Sequence, residues 1–307
     1  MHMKHMYVTL VRRIDSMRLV TFAHDGATRL GALRTTDGRQ RIVDLNRAEP
    51  RLPTDMIDLL QAGPDRLALA REALTRAPAT AGLDPEAVTL KAPILHPSKI
   101  MCIGLNYRDH AAESDQPLPD YPTLFAKYPS SVIGHGERIV LPTLSTQVDY
   151  EGELAVVIGR RAREVSHADA LRYVAGYAPF NDVSARDFQH RTSQWTIGKT
   201  FDTFAPIGPA LVTADEVPDP QTLDLRVLIG EEVLQSSHTG QMVFSVADLI
   251  AYLSAVMTLE PGDIIATGTP GGVGAARKPP RYLRPNETVR VEIEGLGCLE
   301  NPVVTQA

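Results

Sequence analysis

At 307 residues, with 43% apolar and 22% charged side chains, the chain can build one large domain or a small domain joined to a large one. A net charge of −6 argues against the basic face of a nucleic-acid binder, and no apolar run approaches the ~18 residues of a membrane span. Cys102 and Cys298 stand far apart in no metal-ligand spacing, so both are expected to be free thiols in a cytoplasmic protein.

Residues 1–16 show no clear period and no apolar signal core, and are expected to be an extension outside the fold. From Met17 to residue 47, apolar and polar side chains alternate around Asp25-Gly26 and Asp37-Gly38, which predicts antiparallel hairpins. Helical periods follow in DMIDLLQAG and RLALAREALTRA. The connector LKAPILHPSKI then leads into the apolar strand KIMCIGLNY. This composition shift puts a boundary near residue 92, with a small α+β domain over 17–91 and a larger domain over 92–307.

Within GLNYRDHAAE, His110 and Glu113 are three residues apart and share a face on a helical turn. A carboxylate beside an imidazole orients it and raises its basicity, the arrangement of a base that activates water. On this segment alone, an incidental surface contact explains the pair more simply.

VDYEGELAVVIG, residues 148–159, spaces Asp149, Glu151 and Glu153 two apart, so one continuous strand would turn all three to one face. Its Val/Ile tail takes that strand inside, where neighbouring like charges are costly to ionise. A fourth acid, Asp182, lies in the apolar segment GYAPFNDVSARDFQ. A divalent cation would cancel such repulsion, and hard oxygen ligands favour Mg2+ or Mn2+, with Ca2+ as an alternative.

SHADALRYVAG, between these two acidic segments, reads as a helix capped by Ser166, with Asp169 at N3 and Gly176 after its end. In TIGKTFDTFAPIGP, the Gly-Lys-Thr is no phosphate loop, because the required glycine five positions earlier is Ser193. Lys199 there could stabilise an enolate or oxyanion, or could be a surface lysine. SVADLIAYLSAVM carries a helical stripe of Val246, Leu249, Ile250 and Leu253. ATGTPGGVG is not a dinucleotide fingerprint, since Pro270 takes the second glycine position. A tight loop with exposed backbone N–H groups suits an anionic ligand, although such a loop taken alone is usually structural. The strands RIVLP, LDLRVLI, DIIATGTP and TVRVEIEGLG do not alternate with helices, which argues against a doubly wound parallel sheet.

Taken in order, IMCIGLNYRDHAAE, FAKYPSSVIG, VDYEGELAVVIG, NDVSARDFQ, GKTFDTFAPIGP, LEPGDIIATGTPGGVG and VRVEIEGLGCLENPV resemble the fumarylacetoacetate hydrolase family, in its acylpyruvase and hydroxy-diene-dioate isomerase-like branch. The resemblance covers roughly residues 98–303. It implies a mainly β α+β fold, a mixed β-sandwich roll behind a small N-terminal domain, assembled as a homodimer. It also implies Mg2+ or Mn2+ held by Glu151, Glu153 and Asp182, a His110–Glu113 dyad on a closing segment, and Lys199 as a catalytic lysine. Arg186, Gln189, Lys127 and Thr269 match positions that contact substrate or shape the site, and Asp149 matches a supporting position. The implied activity is hydrolysis of a C–C bond in a small oxo-acid such as an acylpyruvate. Oxaloacetate decarboxylation and diene-dioate isomerisation are alternatives on the same site, and a non-catalytic oxo-acid binder is the alternative of another class. The chain departs from many relatives at IGEEVLQSSHTGQMVF, where they carry an Asn-Gly turn.

Overall fold

Two β-sheets packed face to face organise the chain in this computed structural model, which describes residues 17–306 apart from 37, 79 and 114. The extension expected over residues 1–16, and Asp37 of the second turn, lie outside the described residues. The larger sheet runs in the order Arg39–Asp44, Ala27–Thr36, Arg18–His24, Leu211–Thr213, Val174–Asn181, Gly152–Ile158, Ile264–Ala266, Ile100–Gly104 and Thr123–Lys127. Thr89–Lys91 pairs with Arg18–His24 off this path. The smaller sheet orders Glu232–His238, Asp224–Ile229, Thr288–Ile293, Gly297–Thr305 and Ile139–Leu141. Each sheet is mixed: Ile264–Ala266 lies parallel to Ile100–Gly104, and Gly297–Thr305 lies parallel to Ile139–Leu141.

The first hairpin forms as its alternation predicts. Asp25 and Gly26 take φ of 50° and 73°, the left-handed pair that a two-residue turn between twisted strands requires. Segments on either side of residue 92 share both a sheet and a core. Arg18 and Leu19 pair with Val212 and Leu211, and Leu59, Leu60 and Ala73 join the cluster that contains Ala155 and Val157.

Gly152–Ile158 is buried at every residue because both of its faces are covered. Leu154, Val156 and Ile158 belong to the core shared with Leu225, Val227 and Val291 of the smaller sheet. Ala155 and Val157 turn the other way, towards the helices Met56–Gln61 and Pro64–Arg76. The Val246–Val256 helix buries its predicted stripe and is closed by a reciprocal Ser245–Asp248 cap.

Two expectations are corrected. SHADALRYVAG is not an α-helix: Ser166 does cap it, accepting from Asp169 N–H, but the turn is a 3-10 helix over His167–Tyr173. The chain then enters the Val174–Asn181 strand at once, so Gly176 pairs with Thr213 inside the sheet rather than ending a helix. VDYEGELAVVIG is not one strand either. Val148–Asp149 pairs with Ser184–Ala185, while Gly152–Ile158 starts afresh in the larger sheet. The break at Tyr150 and Glu151 puts Asp149 out of phase with the two glutamates.

Candidate active site

Strand direction brings the site together. The parallel pair Ile100–Gly104 and Ile264–Ala266 end on the same side, delivering the Arg108–Glu113 helix and the 267–274 loop there. Gly152–Ile158 runs antiparallel to Ile264–Ala266, so its beginning lies at that edge, and the antiparallel Val174–Asn181 finishes there, opposite Gly152. Glu151, Glu153, Asp182, His110 and the glycine-rich loop therefore meet at one end of the sheet, around a cavity of about 510 Å³. That volume suits a small organic acid.

Between the two glutamates, Gly152 faces the sandwich core: a Cβ there would lie 2.3 Å from Val227 Cγ2. Glu153 projects to the opposite face by strand alternation, as does Glu151 just before it. One carboxylate oxygen from each of Glu151, Glu153 and Asp182 lies within 4.8 Å of the others, and all three residues are buried. Cations balance two of them. Lys199 Nζ donates to Glu151 Oε2 at 2.6 Å and to Asp182 Oδ2 at 2.8 Å. Arg186 Nη1 lies 2.6 Å from Glu151 Oε1. Burial alone would raise the pKa of Glu151, but Arg186 and Lys199 outweigh it and hold the carboxyl well below the usual range.

Glu153 has no such partner. Its one side-chain hydrogen bond among the described residues is from Gly268 N–H, at 2.8 Å. Burial, with Asp182 and Glu151 nearby, pushes its pKa well above the ordinary value. Three convergent hard oxygens, one of them without a compensating charge, fit a divalent cation of the Mg2+ or Mn2+ type.

His110 and Glu113 both line the cavity. His110 Nδ1 lies 3.6 Å from Glu113 Oε2, longer than a hydrogen bond, and has no hydrogen-bond partner among the described residues. The Glu113 carboxylate instead accepts from Gly272 N–H at 2.9 Å. Burial pushes Glu113 up, yet His110 and this N–H outweigh it and keep it below the usual range.

Of its two readings, the glycine-rich loop follows the structural one. Its N–H groups serve the chain's own carboxylates: Gly268 serves Glu153, Gly271 Asp109, Gly272 Glu113, and Gly274 with Ala275 serve Asp149. Glu153 and Asp149 are buried, Asp109 is half-buried and Glu113 is exposed, and the loop supplies each of them with a donor. Asp149 also accepts from Arg186 Nε at 2.9 Å, so it ties the loop to the arginine rather than joining the acid cluster.

Lys199 sits on a short helix, Thr196–Lys199, pressed against Arg186–Gln189. A Cβ on Gly198 would lie 2.3 Å from the Gln189 nitrogen, which accounts for the Gly-Lys pair without a phosphate. Arg186, Gln189 and Thr269 line the cavity, with Arg186 already paired with Asp149 and Glu151 and donating to Gln189. Lys127 stands elsewhere than a substrate contact would. It is buried behind Asp182, donating to that carboxylate and to Val183 O, and does not line the cavity. The wall also includes Gln116, Phe125, His190 and Trp195, which sequence reasoning missed. Trp195, the chain's one tryptophan, lies four residues before Lys199 and was the available signal.

Residues 99–304 match the family described as fumarylacetoacetate (FAA) hydrolase C-terminal. A mitochondrial oxaloacetate tautomerase of Bos taurus is 46% identical over 294 residues, covering 94% of this chain and 92% of that protein. The solved fumarylacetoacetate hydrolase of Exiguobacterium antarcticum is 36% identical with a TM-score of 0.81, covering 95% of this chain and 100% of that one. The 2-hydroxyhepta-2,4-diene-1,7-dioate isomerase of Mycobacterium marinum is 34% identical with a TM-score of 0.75, at the same coverage.

Proposed function

The chain belongs to the fumarylacetoacetate hydrolase family, and from that premise we propose that it is a divalent-cation-dependent enzyme interconverting the keto and enol forms of a small 2-oxo dicarboxylic acid of the oxaloacetate class. The observation that carries this reading is one cavity lined by Glu151 and Glu153 of the carboxylate triad, the His110–Glu113 dyad and a buried ammonium, Lys199.

Glu151, Glu153 and Asp182 would hold the cation, which when bound polarises the substrate's C2 carbonyl as a Lewis acid. His110 removes the proton from C3. Glu113, kept ionised by the Gly272 N–H, orients the ring and stabilises the imidazolium that forms. Burial opposes the charge on Lys199, but Asp182 and Glu151 outweigh it and raise its pKa. It therefore stays an ammonium and serves as a hydrogen-bond donor to the developing enolate oxygen, not as an amine nucleophile. The His110 imidazolium gives up the proton it took from C3, one proton is returned to the enolate oxygen to complete the enol, and the reverse sequence restores the ketone.

His190 and Gln189 also line the cavity, and neither the His190 ring nor the Gln189 amide nitrogen has a side-chain hydrogen-bond partner among the described residues. They would be donors for a second carboxylate.

Hydrolytic cleavage of an acylpyruvate is the second reading, favoured by the fold shared with a solved hydrolase. In it His110 deprotonates water instead of C3. The discriminating experiment incubates the purified chain and Mn2+ with oxaloacetate, acylpyruvates and diene-dioates, and follows tautomer ratio and product release separately. Faster keto–enol equilibration of oxaloacetate without pyruvate release supports the tautomerase reading. Cleavage of acylpyruvates with no effect on oxaloacetate would replace it with the hydrolase.

A further inference from the structure

We propose that Gln235 is a positioning residue that fixes the separation of Glu151 and Glu153. Gln235 is 1% exposed and comes from the Glu232–His238 strand of the smaller sheet, outside every segment expected to carry chemistry. Its Oε1 accepts from Gly152 N–H at 2.9 Å, and its Nε2 donates to Thr269 Oγ1 at 2.9 Å and to Pro270 O at 2.8 Å. Thr269 Oγ1 in turn donates to Gly152 O at 2.9 Å.

These contacts close a ring: Gly152 N–H to Gln235, Gln235 to Thr269, and Thr269 to Gly152 C=O. The residue between the two glutamates is thus gripped at both of its backbone polar groups. Gly152 has no side chain with which to anchor itself, and Val227 presses on its other side, 2.3 Å from where a Cβ would stand. The ring and Val227 together leave the Glu151–Gly152–Glu153 backbone one position. Close approach of the loop to the Gln235 strand needs a glycine as well, because a Cβ on Gly272 would lie 2.3 Å from Leu234 O. A buried amide using both ends is a rigid spacer, and an apolar replacement leaves Gly152 N–H buried without a partner.

The inference rests on the reading that Glu151, Glu153 and Asp182 hold a divalent cation. Partners that orient metal-binding carboxylates are worth about 10–100-fold in metal affinity. A site whose carboxylates lose their fixed spacing also discriminates less, because Ca2+ accepts looser geometry than Mg2+ or Mn2+.

The test measures Mn2+ and Ca2+ dissociation constants calorimetrically on the full chain, for the wild type, Gln235→Leu, Thr269→Val and Thr269→Ser. Gln235→Leu and Thr269→Val each weaken Mn2+ binding by about 10–100-fold and weaken Ca2+ binding by less. Thr269→Ser, which keeps the ring closed, binds both ions as the wild type does. Where Gln235→Leu does not fold, the Thr269→Val and Thr269→Ser pair gives the same answer from the other side of the ring. Wild-type Mn2+ affinity in Thr269→Val, or equal loss of both ions, would overturn the positioning role. A wild-type chain that binds neither ion would overturn the metal reading itself, and the inference with it.

Discussion

Lys199 and Glu151 meet in a buried ion pair, Nζ to Oε2 at 2.6 Å, on the wall of the cavity. The same ammonium reaches Asp182 at 2.8 Å, so one cation bridges two of the three clustered carboxylates, beside Arg186 on Glu151 and Lys127 on Asp182. The charge count at this end of the sheet depends on it.

Lys199→Met should therefore destabilise the chain by about 3–5 kcal/mol in the presence of a chelator, the cost of breaking a buried pair from one side. Saturating Mn2+ should restore most of that loss by supplying the missing positive charge. Urea melts with and without Mn2+ measure both numbers. An equal loss under the two conditions would mean that the triad binds no cation.

His110→Ala and Glu113→Gln should lower kcat by about 10²–10⁴-fold, the usual worth of a positioned base. Mn2+ affinity should stay near that of the wild type, because neither side chain belongs to the carboxylate triad. Steady-state kinetics beside calorimetry separates the effects. If both variants lose metal and turnover together, the dyad is holding the site rather than working in it.

Gly152→Ala should cost about 1–3 kcal/mol by overpacking, because the new methyl meets Val227 Cγ2 at 2.3 Å. Val227→Ala in the same chain should recover part of that loss. Chemical denaturation of the three variants gives the comparison, and a Gly152→Ala chain as stable as the wild type would show that the sheets can move apart there.

Much of this was legible in the sequence, for identifiable reasons. The Asp25-Gly26 hairpin and the Val246–Val256 helix follow from local turn chemistry and periodicity, and both form. Acids beside apolar runs pointed to a cluster of four that included Asp149, and the family resemblance narrowed it to Glu151, Glu153 and Asp182, which the structure brings together. Local pattern failed where tertiary pairing decided the outcome. Asp149 left the phase of the glutamates because its short strand pairs with Ser184–Ala185 instead of continuing. The loop N–H groups, which could have served an anion, were taken by four carboxylates from two distant segments, Arg108–Glu113 and residues 148–159. Gln235 carried no signal because its partners lie 34 and 83 residues away.

His135 gives a pH-dependent term away from the site. Its Nδ1 accepts from Glu300 N–H at 3.1 Å, and burial, only partly opposed by Glu300 and the Cys298 backbone, depresses its pKa below the ordinary 6.5. The unfolded chain then binds this proton more readily, so stability falls as pH drops from 6.5 towards the lower folded value, and is unaffected above 6.5. His135→Asn keeps an acceptor for Glu300 N–H without titrating, and should flatten this part of the profile. Denaturation midpoints across the window test it, and a slope unchanged in the variant would assign the effect to other groups.

The central claim is cation-dependent proton transfer at C3 of a 2-oxo acid. Its most direct measurement is NMR of oxaloacetate in deuterated buffer, following exchange at C3 and the keto–enol ratio with Mg2+, with a chelator, and with Glu151→Ala. The account predicts rapid exchange with Mg2+ that vanishes in the chelator and in the variant, without matching pyruvate release. Exchange no faster than in buffer alone, or equally fast after Mg2+ is removed, would contradict it.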